Sequence, residues 1–444
     1  MEDRTQQLGP TMPPPVVGGA QTTFGADRTA MGGPLRALEA DVVAGNTCAW
    51  AGGPSREHLL LMLRAASGAI GRRAPLKLCL AIDRSGSMEG EPLEYVKRAC
   101  AYVVDLLEPS DVLSIVTFEE QVEVVMPARR VVNKALIKEH VNRIQPGNTT
   151  NLYDGLVTAG AQVASVSAAG YLNRILLLTD GEPTAGIKDF GSIVQQVAQQ
   201  KQNGITVTAL GFGSEYNEEL MAGIARRSGG NYYFISQPSL IPEVFRRELE
   251  TLMTITARNV RVRFTMPRGV RCRYVYGAAT PQFGNRTVEY PLSDIERGSA
   301  VASLSEWEFD RHVPGVYRFA RVEVLYDDVV TGRSETLAAD ATIEFTTDRS
   351  RIEAGKDPIV YRELEVHLAS RNLEKTMMGM RTQQLTAVGA LQELQKTRTI
   401  LMAAGREDEA RDITQAMSAI QQGEGAEKTL IGTIYDLDQG KTRG

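Results

Sequence analysis

Three observations predict an α/β protein in which a doubly wound, mostly parallel sheet is accompanied by an antiparallel β-sandwich and followed by a C-terminal helical hairpin. Between residues 75 and 253, short apolar or β-branched runs alternate with amphipathic runs of helical period, the pattern of a parallel sheet covered on both faces. From 254 to 350 the period falls to two, as in strands with one buried face. From 351 to 430 the helical period returns without intervening strands.

Residues 1–36 are rich in Gly, Pro, Thr and Gln and include Thr11-Met12-Pro13-Pro14-Pro15. Such a stretch buries too little apolar surface to offset the cost of ordering it, so a disordered tail is expected. Two strand-like runs follow within residues 37–74, at Asp41 to Trp50 and His58 to Ala66, joined by a Gly-rich turn at Ala51 to Pro54 that suits a hairpin. A doubly wound sheet has no need of them. They are therefore expected to complete the later sandwich, which makes 75–253 an inserted domain.

Within the insert, Leu76 to Ile82, Val112 to Phe118, Val122 to Met126, Ile175 to Leu178, Ile205 to Gly211 and Tyr232 to Ser236 read as strands. Leu93, Val96, Cys100, Val103 and Leu107 form an apolar stripe at three- and four-residue steps, and five further helical runs alternate with the remaining strands. Only Glu119, Glu120 and Gln121 separate the second and third strands, so these form a hairpin and one strand is antiparallel. In the sandwich region the alternation runs through Val260, Val262 and Phe264, then Val288 and Tyr290, then Ala341, Ile343 and Phe345. In the helical region a long run through Leu373, Met377, Leu385 and Leu394 precedes a second from Glu407 to Ile420, with Gly405 as a left-handed stop between them. Residues 431–444 are expected to be flexible.

Composition bounds the function. A hydrophobic fraction of 43% with 23% charged residues is that of an ordinary globular protein. A net charge of −5 gives no footprint for nucleic acid, which is not expected as a partner. Met1-Glu2-Asp3-Arg4 does not begin a secretory signal, and no apolar run reaches the length of a membrane span, so a cytoplasmic location is expected. Cys48, Cys79, Cys100 and Cys272 lack C-x-x-C spacing and read as reduced thiols. The four histidines are equally scattered, and no zinc site is expected.

Chemistry concentrates at three loops. Asp83-Arg84-Ser85-Gly86-Ser87 stands where a buried strand passes into a helix and offers a carboxylate and two hydroxyls at alternate positions. Thr179-Asp180-Gly181 ends a second apolar strand, and Pro146 to Asn151 is a turn-rich loop opening another helix. Strand ends of this kind converge near the switch in strand order of a parallel sheet. Oxygen-only donors suit a hard divalent cation, whereas a helix cap alone would account for only one of the serines.

In these residues the chain resembles a bacterial von Willebrand factor type A (vWA) domain with a metal-ion-dependent adhesion site. The family pattern D-x-S-x-S, then a loop Thr, then a loop Asp is matched by Asp83, Ser85, Ser87, Thr150 and Asp180, with Thr149 as the alternative in the middle loop. The resemblance implies that these side chains hold magnesium, with manganese or calcium as substitutes, and that an Asp or Glu of a protein partner completes the coordination. It further implies an adaptor, working with an AAA+ ATPase or with a kinase and phosphatase. A cell-surface adhesion or channel-associated protein is the alternative. No general base, second metal or phosphate-binding Gly-rich loop accompanies the motif, so no enzymatic activity is expected.

The N-terminal threonines are candidate targets of a Ser/Thr kinase and, once modified, candidate ligands of a phosphothreonine-binding domain; an inert solubilising tail is the alternative. Phosphopeptide mapping of protein from its native host is expected to find phosphate on Thr11, Thr22, Thr23 or Thr29. Unmodified threonines at all four positions under every growth condition would eliminate the regulatory role.

Overall fold

The computed structural model describes residues 21–23, 37–65, 73–167, 170–180, 182–213, 216–277, 281–423 and 425–443. The chain begins with β1 (Gln21–Thr23), β2 (Leu38–Ala44), β3 (Cys48–Trp50) and β4 (Ser55–Ala65). The inserted domain follows: β5 (Leu76–Asp83), α1 (Glu91–Leu106), β6 (Val112–Phe118), β7 (Val122–Arg130), α2 (Lys134–Asn142), α3 (Leu152–Ser165), β8 (Leu172–Thr179), α4 (Phe190–Gln202), β9 (Ile205–Phe212), α5 (Glu218–Ser228), β10 (Tyr232–Ile235) and α6 (Ile241–Met253).

Its sheet has the order β10-β9-β8-β5-β6-β7. All neighbours run parallel except β7, which pairs antiparallel with β6. Every residue of β5, β6 and β9 is buried, as a sheet with helices on both faces requires. On one face Val96 and Val103 of α1 pack with Phe245 and Leu249 of α6. On the other, Leu156 of α3, Val197 of α4 and Ile224 of α5 share a core. The chain moves outward from β5 in both directions, to β6 and to β8, so a crevice opens at the carboxyl ends of β5 and β8.

The later strands are β11 (Ile255–Thr265), β12 (Val270–Val275), β13 (Gln282–Gly284), β14 (Thr287–Pro291), β15 (Ile295–Glu296), β16 (Ser299–Phe309), β17 (Gly315–Asp328) and β18 (Arg333–Thr346). They build two sheets, β1-β2-β4-β16-β12 and β13-β14-β11-β17-β18-β3, with β15 paired to β11. The core between them holds Leu59, Leu61, Phe264, Trp307, Phe309 and Phe345. β4 runs antiparallel to β16 from Ser55 opposite Phe309 to Arg64 opposite Ala300. Strands made before the insert thus complete a sandwich made after it.

Two expectations are corrected here. Gln21–Thr23, placed by composition in a disordered tail, form β1 at the edge of a sheet, with Thr22 opposite Val42 and Thr23 opposite Asp41. Thr11 and Thr29 lie outside the described residues. The helical region also holds more than a hairpin: after the short α7 (Arg349–Ala354) come α8 (Pro358–Arg381), α9 (Ala387–Ala403), α10 (Glu407–Gln422) and α11 (Glu427–Asp438), then β19 (Lys441–Arg443). Gly405 does separate α9 from α10, at φ 78°. The long run through Leu385 is broken as well, because Gln383 takes φ 56° and the Leu385 amide turns back to the Gly379 carbonyl at 2.9 Å. The left-handed region is uncommon for a residue with a Cβ, so residue type gives no warning of this turn.

Within the segment expected to be flexible from 431 onward, residues 431–437 are held in place by burial. Leu430, Ile434 and Leu437 of α11 join Leu373, Leu394, Leu401 and Ile413 in the helical core. Ile431 and Tyr435, on another face of α11, enter the core of the inserted domain, and the Tyr435 hydroxyl donates to the Gly230 carbonyl. β19 then pairs antiparallel with β16. All four cysteines are buried and unpaired. No helix among the described residues is long and apolar enough to cross a membrane. Leu430→Ala is expected to cost about 2–5 kcal/mol in chemical denaturation, the usual range for a fully buried leucine. A loss below about 0.5 kcal/mol would show that α11 does not contribute to the folded core.

Candidate metal centre

Asp83 is the last residue of β5 and is completely buried. One of its carboxylate oxygens accepts the Ser85 amide at 2.8 Å, a local bond that turns the chain off the strand. A short 3₁₀ turn, Gly86–Met88, follows and is closed by the Met88 amide donating to the Ser85 carbonyl at 2.9 Å. This turn sets the two serine hydroxyls 3.2 Å apart. Ser87 then donates to Oδ1 of Asp180 at 2.8 Å. The other Asp83 oxygen accepts the hydroxyl of Thr179, the last residue of β8. The ends of adjacent strands β5 and β8 thereby join Asp83, Ser85, Ser87 and Asp180 in one hydrogen-bonded cluster.

The third loop is tied to the first through backbone. Gly86 donates to the Asn148 carbonyl at 3.3 Å, and Gly147 donates to the Arg84 carbonyl. A Cβ on Gly147 would stand 2.8 Å from Glu119 Cγ, so the packing of this loop against the turn between β6 and β7 favours glycine there. Thr150 is buried at 3% exposure. Its amide donates to the Thr184 hydroxyl at 2.8 Å, and its carbonyl accepts the Thr184 amide at 3.0 Å. The following Asn151 caps α3 by accepting the Asp154 amide. The Thr150 hydroxyl is not hydrogen-bonded to the other four side chains. Thr149, the alternative in this loop, has a buried hydroxyl without a hydrogen-bond partner among the described residues.

Burial dominates the electrostatics. It pushes the Asp83 carboxyl up to about 7, against the downward pull of the Thr179 and Ser85 hydrogen bonds, and Asp180 adds to the rise. Asp180 is raised as well, again chiefly by burial, with Ser87 opposing. Among the described residues no Lys, Arg or His pairs with either carboxylate. The adjacent Arg84 pairs instead with Glu119 at 3.3 Å. Two buried carboxylates surrounded by hydroxyls and lacking a protein cation fit a hard divalent ion, which favours their ionised forms. No group of three or more His, Cys, Asp or Glu suited to a metal occurs among the described residues, and the other oxygen-bearing side chains of the cluster are the hydroxyls of Ser85 and Ser87.

Thr179 and Thr184 support the site without having been singled out in the sequence. Thr179 had a legible signal, since a hydroxyl that ends an apolar buried run and stands next to an aspartate needs a nearby acceptor. Thr184 had none, because nothing in residues 182–186 announces that this segment folds back on the Thr150 loop.

The raised Asp83 carboxyl makes a prediction with a definite sign. The folded state binds this proton more tightly than the unfolded chain, so its contribution to stability is full below about 4 and is lost as pH rises through about 7. In thermal denaturation without metal, Asp83→Asn is therefore expected to gain on the wild type from pH 4 to pH 7 and then hold level. A difference that stays constant with pH would mean that Asp83 remains ionised throughout.

Residues 78–247 match the family model of the von Willebrand factor type A domain. Protein sll0103 of Synechocystis sp. is 30% identical over 298 residues, covering 65% of this chain and 70% of that protein. YfbK of Escherichia coli is 33% identical over 186 residues, 41% of this chain and 32% of YfbK. Among solved structures, a von Willebrand factor type A protein from Catenulispora acidiphila superposes with a TM-score of 0.72 at 18% identity over 88% of this chain and 91% of its own. The ArnB paralog VWA2 from Sulfolobus acidocaldarius does so with a TM-score of 0.63 at 16% identity over 90% and 98%. The last two similarities speak to the fold, and they extend beyond the inserted domain into the sandwich and helices. By its matched domain and by the span shared with the Synechocystis protein, the chain belongs to the von Willebrand factor type A domain family.

Proposed function

We propose that this protein is a divalent-cation-dependent docking adaptor, with Asp83, Ser85, Ser87, Thr150 and Asp180 holding the ion. The observation that carries the proposal is the hydrogen-bonded cluster of Asp83, Ser85, Ser87 and Asp180, in which two buried carboxylates pair with no Lys, Arg or His among the described residues. When bound, magnesium, or manganese or calcium in its place, supplies an electron-poor centre that takes a carboxylate oxygen from an Asp or Glu of another protein.

The chain's own residues prepare that encounter. Thr179 holds one oxygen of Asp83 and the Ser85 amide holds the other, so this carboxylate is fixed in orientation before an ion arrives. Ser87 does the same for Asp180. Arg84, drawn to Glu119, leaves the two carboxylates without internal neutralisation. Hydroxyl ligands donate less charge than carboxylates, which favours recruitment of one more acidic group from outside. A cytoplasmic setting and a partner system built on an AAA+ ATPase, or on a kinase and phosphatase, belong to the same proposal.

Addition of magnesium at about 100 times its dissociation constant is expected to stabilise the wild type by about 2.7 kcal/mol and to leave Asp83→Ala unchanged. Equal stabilisation of the two proteins would refute the site. A pull-down from native extract is expected to recover a partner that chelator releases, whereas retention of all bound proteins in chelator would refute metal-dependent docking.

A further inference from the structure

A cleft of about 290 Å³ lies at the other end of the inserted sheet, where the amino ends of β8 and β9 meet the first residues of β11 and the turn before β15. Tyr171, Asn173, Arg174, Thr206, Arg258 and Asp294 line it. By volume it has room for on the order of ten waters. It is separate from the metal centre, which lies at the carboxyl ends of the strands, and nothing in the proposed docking function uses it.

The charges around this cleft do not balance. Arg174 is only 4% exposed, and one terminal nitrogen of its guanidinium donates to Asp294 at 2.9 Å. Its Nε is buried with no hydrogen-bond partner among the described residues, as is Oδ1 of the adjacent Asn173. Arg258 donates to the Tyr171 carbonyl and lies 3.7 Å from Asp327. Close behind stands Lys201, whose ammonium is disfavoured first by burial and further by Arg174, with Asp294 opposing. It makes no ion pair with a carboxylate among the described residues. In the wall of the cleft itself two guanidinium groups, Arg174 and Arg258, thus face one carboxylate, Asp294. An uncompensated buried positive charge is costly, and an anion is the ligand that relieves it.

We propose that this cleft binds a small molecule bearing an oxyanion, a phosphate or a carboxylate, anchored by the guanidinium groups of Arg174 and Arg258. Arginine presents planar paired donors that match both anions. Arg174 belongs to the inserted domain and Arg258 to the sandwich, so the occupant bridges the two and stiffens their junction.

Calorimetric titration and thermal melting of the metal-free full-length protein test this, with sodium phosphate and sodium citrate as probes and sodium chloride at matched ionic strength as control. Saturable binding of at least one probe is expected, with a rise in melting temperature that chloride does not reproduce. Response to phosphate alone assigns the phosphate class, and response to citrate alone assigns the carboxylate class. Arg258→Gln is expected to weaken binding at least tenfold, and Asn173→Asp, which sets a carboxylate in the cleft wall, to abolish it. Asp83→Ala is expected to bind as the wild type does, which separates this site from the metal centre. The proposal is overturned if neither probe acts beyond chloride, or if the folded Arg258→Gln and Asn173→Asp proteins both bind like the wild type.

Discussion

The candidate metal centre depends on one constraint: two carboxylates, Asp83 and Asp180, are held out of water at the ends of adjacent parallel strands. The parallel sheet creates the position, because the chain leaves β5 toward β6 on one side and reaches β8 on the other, opening a crevice between the strand ends. Neutral donors then occupy the carboxylate oxygens. The hydroxyls of Thr179 and Ser87 and the amide of Ser85 fix their direction without cancelling their charge. Such an arrangement is poorly stabilised by the protein alone, which makes it receptive to a cation.

Much of the inserted domain was legible in the sequence because its buried strands are short and uniformly apolar and its helices carry regular stripes. β6 runs Val112–Phe118, the span that periodicity indicates, and the hairpin to β7 follows from the three residues between them. Asp83, Ser85, Ser87 and Asp180 were legible for a different reason, as oxygen-bearing residues at turns immediately after apolar runs. Their convergence follows from topology, since β5 and β8 are neighbours. The Thr150 loop was less legible, for its position depends on bonds from Thr184 that no pattern in the chain foretells.

The misread segments share a physical cause: local composition concealed a tertiary role. Gln21–Thr23 carry no large apolar side chain, yet strand pairing is made by backbone and asks little of side chains at a sheet edge. Residues 427–438 contain Gly432 and several charged groups, which dilute the apolar signal. Burial on two sides restores it, with Leu430 and Leu437 facing the helices and Ile431 and Tyr435 facing the inserted domain. Only the docking of both neighbours makes that helix intelligible.

The way the sandwich is threaded also governs how the chain can mature during synthesis. β2 and β4 leave the ribosome before the inserted domain, and β4 has no β16 to pair with until that entire domain has emerged. Contacts so distant along the chain are slow to form. The inserted domain in turn lacks Ile431 and Tyr435 until α11 has been made, after the sandwich strands and the other helices. Its own core and the strands before it must therefore stay partly uncovered in the nascent chain until α11 closes the assembly.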